Sequence, residues 1–206
     1  MKQGRFIFKM FPLLLWGILL TGCTFLHPTP PTSTPVASWE EREAKLRSIT
    51  AWSLSGTMGF HNATEAKSAN IQWQQAGLQR FSLQFFGPLG MGNTRIVGYP
   101  QDVMLIAPGK PPLHAQNGEA LLKAQTGWDL PLEALYDWVK GVPAPGPMSH
   151  PQWDASSRLQ QFEQQGWRIS YKSYIPVQGF DLPNRITLSR PPLGATLLIR
   201  RWQLPN

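Results

Sequence analysis

From Ala51 onward, apolar side chains recur at every second position. Trp52, Leu54, Gly56, Met58 and Phe60 share one parity, while Ser53, Ser55, Thr57 and Gly59 occupy the other. Successive side chains of an extended chain point to opposite faces, so this period of two predicts a half-buried antiparallel strand with one apolar and one small, polar face. The pattern returns at Ile71 and Trp73 between Gln72 and Gln74, and at Phe81, Leu83 and Phe85 between Ser82 and Gln84. It continues less regularly over residues 94–99 and 103–107, and again over 167–174, 185–189 and 195–202. So many short strands at hairpin spacing predict a large antiparallel sheet or barrel. Twenty Pro and 18 Gly in 206 residues punctuate strands well and are poorly tolerated by a helical bundle. With 42% hydrophobic and only 15% charged residues the chain can bury a core, and its length suits one domain with appendages.

The first 22 residues are of another kind. Lys2, Arg5 and Lys9 make a basic start with no acidic residue before position 40, and residues 10–20, MFPLLLWGILL, are apolar. A charged region, an apolar run and small residues ahead of a Cys, as in Leu20-Thr21-Gly22-Cys23, follow the order of an export signal. Coiled as a helix, the apolar run would cross only ~16 Å of a ~30 Å hydrocarbon core, and Pro12 interrupts it, so it reads as a transient signal rather than a permanent span. Leu-Thr-Gly-Cys resembles the lipobox of bacterial lipoproteins, in which the Cys thiol is diacylglycerylated, the signal is cut off and the new amine is acylated. Three such palmitate-like chains, at ~0.8 kcal/mol per buried CH₂, anchor a protein firmly. Residues 1–22 are therefore expected to be a signal peptide and Cys23 the lipid-attachment site. Thr24 follows where an Asp would mark retention in the inner membrane of Gram-negative bacteria, which points to the outer membrane.

Cleavage before Cys23 removes three basic side chains and leaves 184 residues with 16 basic and 12 acidic, a net charge of +4 instead of +7. That modest charge and an exported location exclude nucleic acid as a partner. Residues 23–37 comprise the acylated Cys and a tether with Pro28, Pro30, Pro31 and Pro35 and no charge. At ~3.1 Å per residue such a segment reaches roughly 40 Å. Residues 38–206 form the single folded domain. One Cys permits no internal disulfide, and His27, His61, His114 and His150 are too scattered to give a metal-ligand spacing.

Three helices are expected among the strands. Ser38 followed by Glu41 fits a capping box, with Trp39, Leu46 and Ile49 near one face. Glu40, Glu41 and Glu43, beside Arg42, Lys45 and Arg47, read as a solvated helix face rather than a catalytic acid cluster. Asn117 caps a second helix running to Gln125 and ended by Gly127. A third begins near Leu130-Pro131 with Pro at its first helical position and carries Leu132, Leu135, Tyr136, Trp138 and Val139 before Gly141 and Pro143 close it. Laid on a curved sheet, its apolar stripe makes either a solid core or the lid of a pocket. Between two strands, residues 85–92, FFGPLGMG, place Leu89 and Met91 at the tip of a Gly/Pro turn. Turn tips are normally polar, so this one is a buried plug, an interface or a membrane-inserting finger.

The succession of lipobox, Pro-rich tether, a helix ending before Ser53-Leu54-Ser55-Gly56, Trp73-Gln74-Gln75, Pro88-Leu89-Gly90, Thr126-Gly127, Leu130-Pro131-Leu132 and Leu135 to Trp138 to Gly141 resembles the LolB family of outer-membrane lipoprotein receptors. The resemblance runs from Cys23 to Trp202. It implies a mainly β (α+β) fold, an incomplete antiparallel β-barrel with a helical lid over a hydrophobic cavity, similar to the LolA carrier. It also implies that the loop of Pro88, Leu89 and Gly90 inserts into the membrane, with Gly87 standing where the family has Asn.

The function implied is an outer-membrane receptor, lipid-anchored and facing the periplasm. It would accept acylated lipoprotein cargo from a LolA-type periplasmic carrier and insert it into the outer-membrane lipid. Strand parity and the helical stripe place Met58, Trp73, Phe85, Leu135, Trp138 and Ile186 on the wall of its acyl-chain cavity. No nucleotide-binding motif is present, so the expected step is passive, driven by cavity affinity, with no cofactor and no metal, in a monomer. The alternative is a lipid-binding or lipid-sensing lipoprotein of similar fold that transfers nothing. An enzyme is not expected: there is no G-x-S-x-G, and the five Asp and seven Glu are dispersed or lie on helix faces.

Overall fold

The computed structural model describes residues 37–87, 92–100, 102–126 and 129–205. Along these run α1 (Trp39–Arg47), β1 (Ala51–His61), β2 (Ala66–Ala76), β3 (Arg80–Phe86), β4 (Thr94–Tyr99), β5 (Asp102–Ile106), β6 (Leu113–Ala115), α2 (Gly118–Thr126), α3 (Leu132–Trp138), β7 (Ser149–Trp153), β8 (Leu159–Gln164), β9 (Trp167–Val177), β10 (Phe180–Arg190) and β11 (Leu193–Gln203). The strands form one antiparallel sheet in the order β6-β5-β4-β3-β2-β1-β11-β10-β9-β8-β7. The order does not close on itself, leaving β6 and β7 as edges, and the mainly β, incomplete-barrel expectation holds. The signal segment, the tether, Cys23 and the loop residues Pro88, Leu89 and Gly90 lie outside the described residues.

Alternation of burial is strict along β1, where Trp52, Leu54, Gly56, Met58 and Phe60 are buried and their neighbours are not. Gly56 sits at a register shift between β1 and β11, and a Cβ there would collide with the carbonyl oxygen of Leu198. Only glycine allows this close approach of two strands. Gly98 serves a similar purpose on β4, where a side chain would occupy the place of the Phe81 ring.

The helices start where local chemistry directs. Ser38 Oγ accepts from Glu41 N at 3.2 Å and Glu41 Oε2 accepts from Ser38 N at 3.1 Å, completing the capping box of α1. Arg42 pairs with Asp181 at 3.1 Å and Lys45 Nζ donates to Gly179 O at 2.7 Å, fastening α1 to the β9–β10 turn. Glu43 pairs with Arg47 one helical turn away, as a solvated face would. Asn117 Oδ1 accepts from Glu119 N at 2.7 Å and caps α2. Pro131, expected as the first residue of the third helix, is instead its N-cap, with φ −78° and ψ 90°. Its ψ is that of extended chain, so helical geometry begins one residue later, at Leu132.

Three strands fall outside the alternating pattern. β6 is three residues long, β7 contains Pro151 and a left-handed His150, and β8 buries Leu159, Phe162 and Gln164 at mixed spacing.

Candidate functional site

Two spaces open along the inner face of β2 and β3, and the strands themselves measure their order. On β3, Phe81 lines a cleft of about 520 Å³, Phe85 lines a small apolar void, and Leu83 between them lines both. On β2 the sequence repeats in the opposite direction, with Gln75 in the cleft, Ile71 at the void and Trp73 in both. Each step of two residues advances ~7 Å along a strand, so cleft and void lie end to end. Leu132 of α3 lines both spaces from above.

The cleft falls within the ~300–1,000 Å³ typical of ligand sites. Its rim carries Leu78 of the β2–β3 turn, 72% exposed, and Tyr99 at the end of β4, 53% exposed. Large apolar side chains so open to water at the mouth of a cleft mark a contact surface. The void is lined by Met58, Leu122, Leu130, Leu135 and Leu197 together with the β2 and β3 residues, and holds only about 10 Å³, scarcely room for one water. Helices α2 and α3 thus rest directly on the sheet, with little space left between them.

Of the six side chains expected on a cavity wall, Met58, Trp73, Phe85 and Leu135 meet around this void. Trp138 and Ile186 do not. Trp138 is fully buried at the other end of α3, where its Nε1 donates to Gln164 Oε1 at 2.8 Å and its ring meets Phe162 at 6.5 Å. Ile186 is buried on β10, paired with Leu197 and Tyr171 on either side. A seven-residue helix crossing a curved sheet divides its stripe between two regions, and sequence spacing alone does not locate the division.

The side chains that sequence reading missed are chiefly glutamines. Gln75 is 5% exposed, accepts from Trp73 Nε1 at 2.8 Å, and through Nε2 donates to Gly77 O at 2.6 Å. Gln164 is 4% exposed and, besides holding Trp138, bonds both backbone groups of Ala144 at 2.8 and 2.9 Å. Both obey the rule that buried polar groups are satisfied. Parity offered a signal for Gln75, which shares the face of Ile71 and Trp73.

The charged side chains lining the cleft are the carboxylates Glu119, Glu133 and Asp137. Burial pushes the Glu119 carboxyl up from its ordinary range, and the neighbouring Glu133 charge adds to this. Lys140, 1% exposed, lies 3.1 Å from Asp137, with Nζ 4.0 Å from the centre of the Tyr136 ring. Burial lowers its pKa while the Asp137 carboxylate opposes the shift. The pairs His114–Asp102 and His150–Glu163 are exposed. Among the described residues no three His, Cys, Asp or Glu gather as a metal would require. The void offers apolar, non-directional contact, and the cleft adds polar side chains beside its apolar ones.

Comparison with known proteins places these features in a family. The family model described as outer membrane lipoprotein LolB matches residues 50–202. The outer-membrane lipoprotein LolB of Stutzerimonas stutzeri is 38% identical over 91% of this chain and 91% of its own. That of Nitrosococcus oceani is 37% identical over 93% of this chain and 96% of its own. Among solved structures, a LolA superfamily protein from Nitrosomonas europaea superposes with a TM-score of 0.52 at 13% identity, covering 82% of this chain and 94% of that one. A DUF1329 family protein from Desulfovibrio piger gives 0.55 at 6% identity, covering 84% and 94%, and with the former indicates a shared fold.

Proposed function

Since the chain belongs to the LolB family of outer-membrane lipoproteins, we propose that it is an outer-membrane receptor, anchored through acylated Cys23 and facing the periplasm, that takes acylated lipoproteins from a LolA-type carrier and inserts them into the membrane. The observation that carries this reading is the route along β2 and β3, an open cleft of mixed polar and apolar lining that leads to a wholly apolar void beneath two helices. An acyl chain of ~15 methylenes is worth about 12 kcal/mol when removed from water, so it cannot cross the periplasm uncovered. Displacing α2 and α3 from the sheet would enlarge the void around such a chain. Met58, Trp73, Phe85 and Leu135 would then line it, with Trp138 and Ile186 supporting from outside. Aromatic, Leu and Met walls accept chains of variable shape, and Met is the most adaptable of them. Transfer needs no nucleotide: each ~1.4 kcal/mol by which this site binds better than the carrier shifts the cargo tenfold.

In the sequence, Pro88, Leu89 and Gly90 follow β3, the strand whose Phe85 lines the void. In this reading Leu89 perturbs the leaflet that receives the cargo. The test mixes membranes bearing the anchored chain with a carrier loaded with an acylated lipoprotein and follows which fraction holds the cargo. Cargo leaving the carrier for the membranes supports the receptor. Cargo remaining on the carrier, with the chain folded, favours a lipid-binding protein that transfers nothing. Leu89→Glu should bind cargo near normally yet fail to release it into lipid; a large fall in melting temperature would make Leu89 a buried plug. Intact-mass spectra of the purified protein should show a lipid adduct on Cys23 at the new N-terminus, and an unmodified thiol would remove the anchor from the proposal.

A further inference from the structure

We infer that Gln75 is a latch that holds Trp73 as a closed partition between the cleft and the void, tying that partition to the β2–β3 turn at the mouth. This rests on the receptor reading of the same route. Among the described residues, Trp73, Leu83 and Leu132 alone line both spaces, so an acyl chain passing from one to the other must move one of them. Leu83 and Leu132 are held by packing, whereas the Trp73 indole has a directed bond, Nε1 to Gln75 Oε1 at 2.8 Å, in a buried setting. Two residues apart on one strand, these side chains share a face and reach each other without backbone movement. The remaining donors of Gln75 run outward: Nε2 reaches Gly77 O at 2.6 Å and, more weakly, Leu78 O at 3.4 Å.

Gly77 adopts a left-handed φ of 71°, and its N–H donates to Thr50 O at 2.8 Å. The turn that Gln75 grips is therefore a defined one, and it is the turn that presents Leu78 to water. A body that presses on Leu78 or shifts this turn disturbs the acceptors of Gln75 first and, through them, the orientation of Trp73. Behind Trp73 stands Trp52, edge-on at 5.0 Å between ring centres, so the indole has an aromatic surface along which to swing rather than a rigid wall. Contact at the mouth and opening of the inner chamber become one event, which keeps the chamber shut to water until cargo arrives.

The experiment uses the full anchored chain in membranes and a carrier loaded with an acylated lipoprotein, and measures the rate at which cargo leaves the carrier. Gln75→Leu removes both links of the latch at nearly constant volume, and Trp73→Phe removes the indole donor while keeping an aromatic ring. Each should speed uptake about threefold to tenfold, the range for loss of one net hydrogen bond. The double variant should be no faster than either single one, because both break the same bond. In protein labelled at tryptophan nitrogen, the Trp73 indole N–H, assigned by its absence in Trp73→Phe, should exchange slowly with water. In Gln75→Leu, or once cargo is bound, it should exchange fast. Uptake unchanged or slowed in a folded variant, additive effects in the double variant, or indole exchange indifferent to Gln75 would each overturn the latch. Should the wild type take up no cargo while its indole exchange responds to Gln75, the receptor reading fails and the latch is unsupported as a gate for cargo.

Discussion

The two ends of α3 rest on regions of contrasting character. At its C-terminal end the helix and the chain after it are held by directed bonds: Trp138 Nε1 and both backbone groups of Ala144 meet the Gln164 side chain, and Tyr171 OH donates to Trp138 O at 2.8 Å. At its N-terminal end Leu132 and Leu135, with Leu122 of α2, meet Met58, Ile71, Trp73, Leu83 and Phe85 around a residual void. Hydrogen bonds fix orientation and are costly to leave unmade, whereas apolar contacts are non-directional and re-form in many arrangements. A lid that must lift and settle again needs one end of each kind, a hinge that stays and a face that slides.

The strongest test of that contrast is Trp138→Ala. It removes a fully buried indole and one of the bonds to Gln164, which keeps its partners on Ala144, and should cost about 3–5 kcal/mol in a denaturant titration. The fraction that remains folded should still take up acyl chains. A cost under about 2 kcal/mol would mean that the bonded end is not a fixed point.

Leu122→Ala probes the other end. Leu122 is also fully buried but is a smaller side chain than Trp138, so the expected cost is about 2–4 kcal/mol. Uptake of acyl chains should be retained or improved, because the variant enlarges the chamber. If uptake falls in step with stability, the two ends differ only in degree.

This contrast was half legible in the sequence. Alternation of Trp52, Leu54, Met58 and Phe60 against Ser53, Ser55 and Thr57 identified a sheet because one face was purely apolar and the other purely small or polar. β8 escaped because its inner face carries Gln164 beside Phe162, so hydrophobicity assigns it no period. β7 escaped because Pro151 and a left-handed His150 belong to an irregular edge. The stripe of α3 announced burial for Leu135 and Trp138 alike. Which of them faces the apolar void and which the hydrogen-bonded region depends on the strands beneath, and those are set by a topology that brings β8 and β2 under one helix. Gln75 and Gln164 were the least legible of all, since a polar residue on an apolar face reads as an exception until its partners are known.

Acid offers the gentlest way to separate the two regions, because their carboxylates respond with opposite sign. Asp154 lies in the β7–β8 turn. Burial opposes its ionisation, but bonds from Arg158 N and Ser156 N and the Arg158 guanidinium prevail and hold it below the usual carboxylate range. Its stabilising contribution is present above the unfolded value of about 3.9 and is lost only as the pH falls toward its lower folded value. Glu119, on α2 against α3, has its pKa raised by burial and by Glu133. Its protonated form is favoured in the fold, so its contribution is complete below 4.5 and declines as the pH rises through the raised folded value. Lowering the pH from 7 toward 4.5 should therefore tighten α2 slightly while leaving the Asp154 bonds of the β7–β8 turn unchanged. Hydrogen-exchange protection, corrected for intrinsic rates, should rise in α2 and stay level in β8. Glu119→Gln should abolish the rise, because an amide carries no charge to relieve. A rise of equal size in both regions would show that acid tightens the whole sheet and that the lid has no separate response.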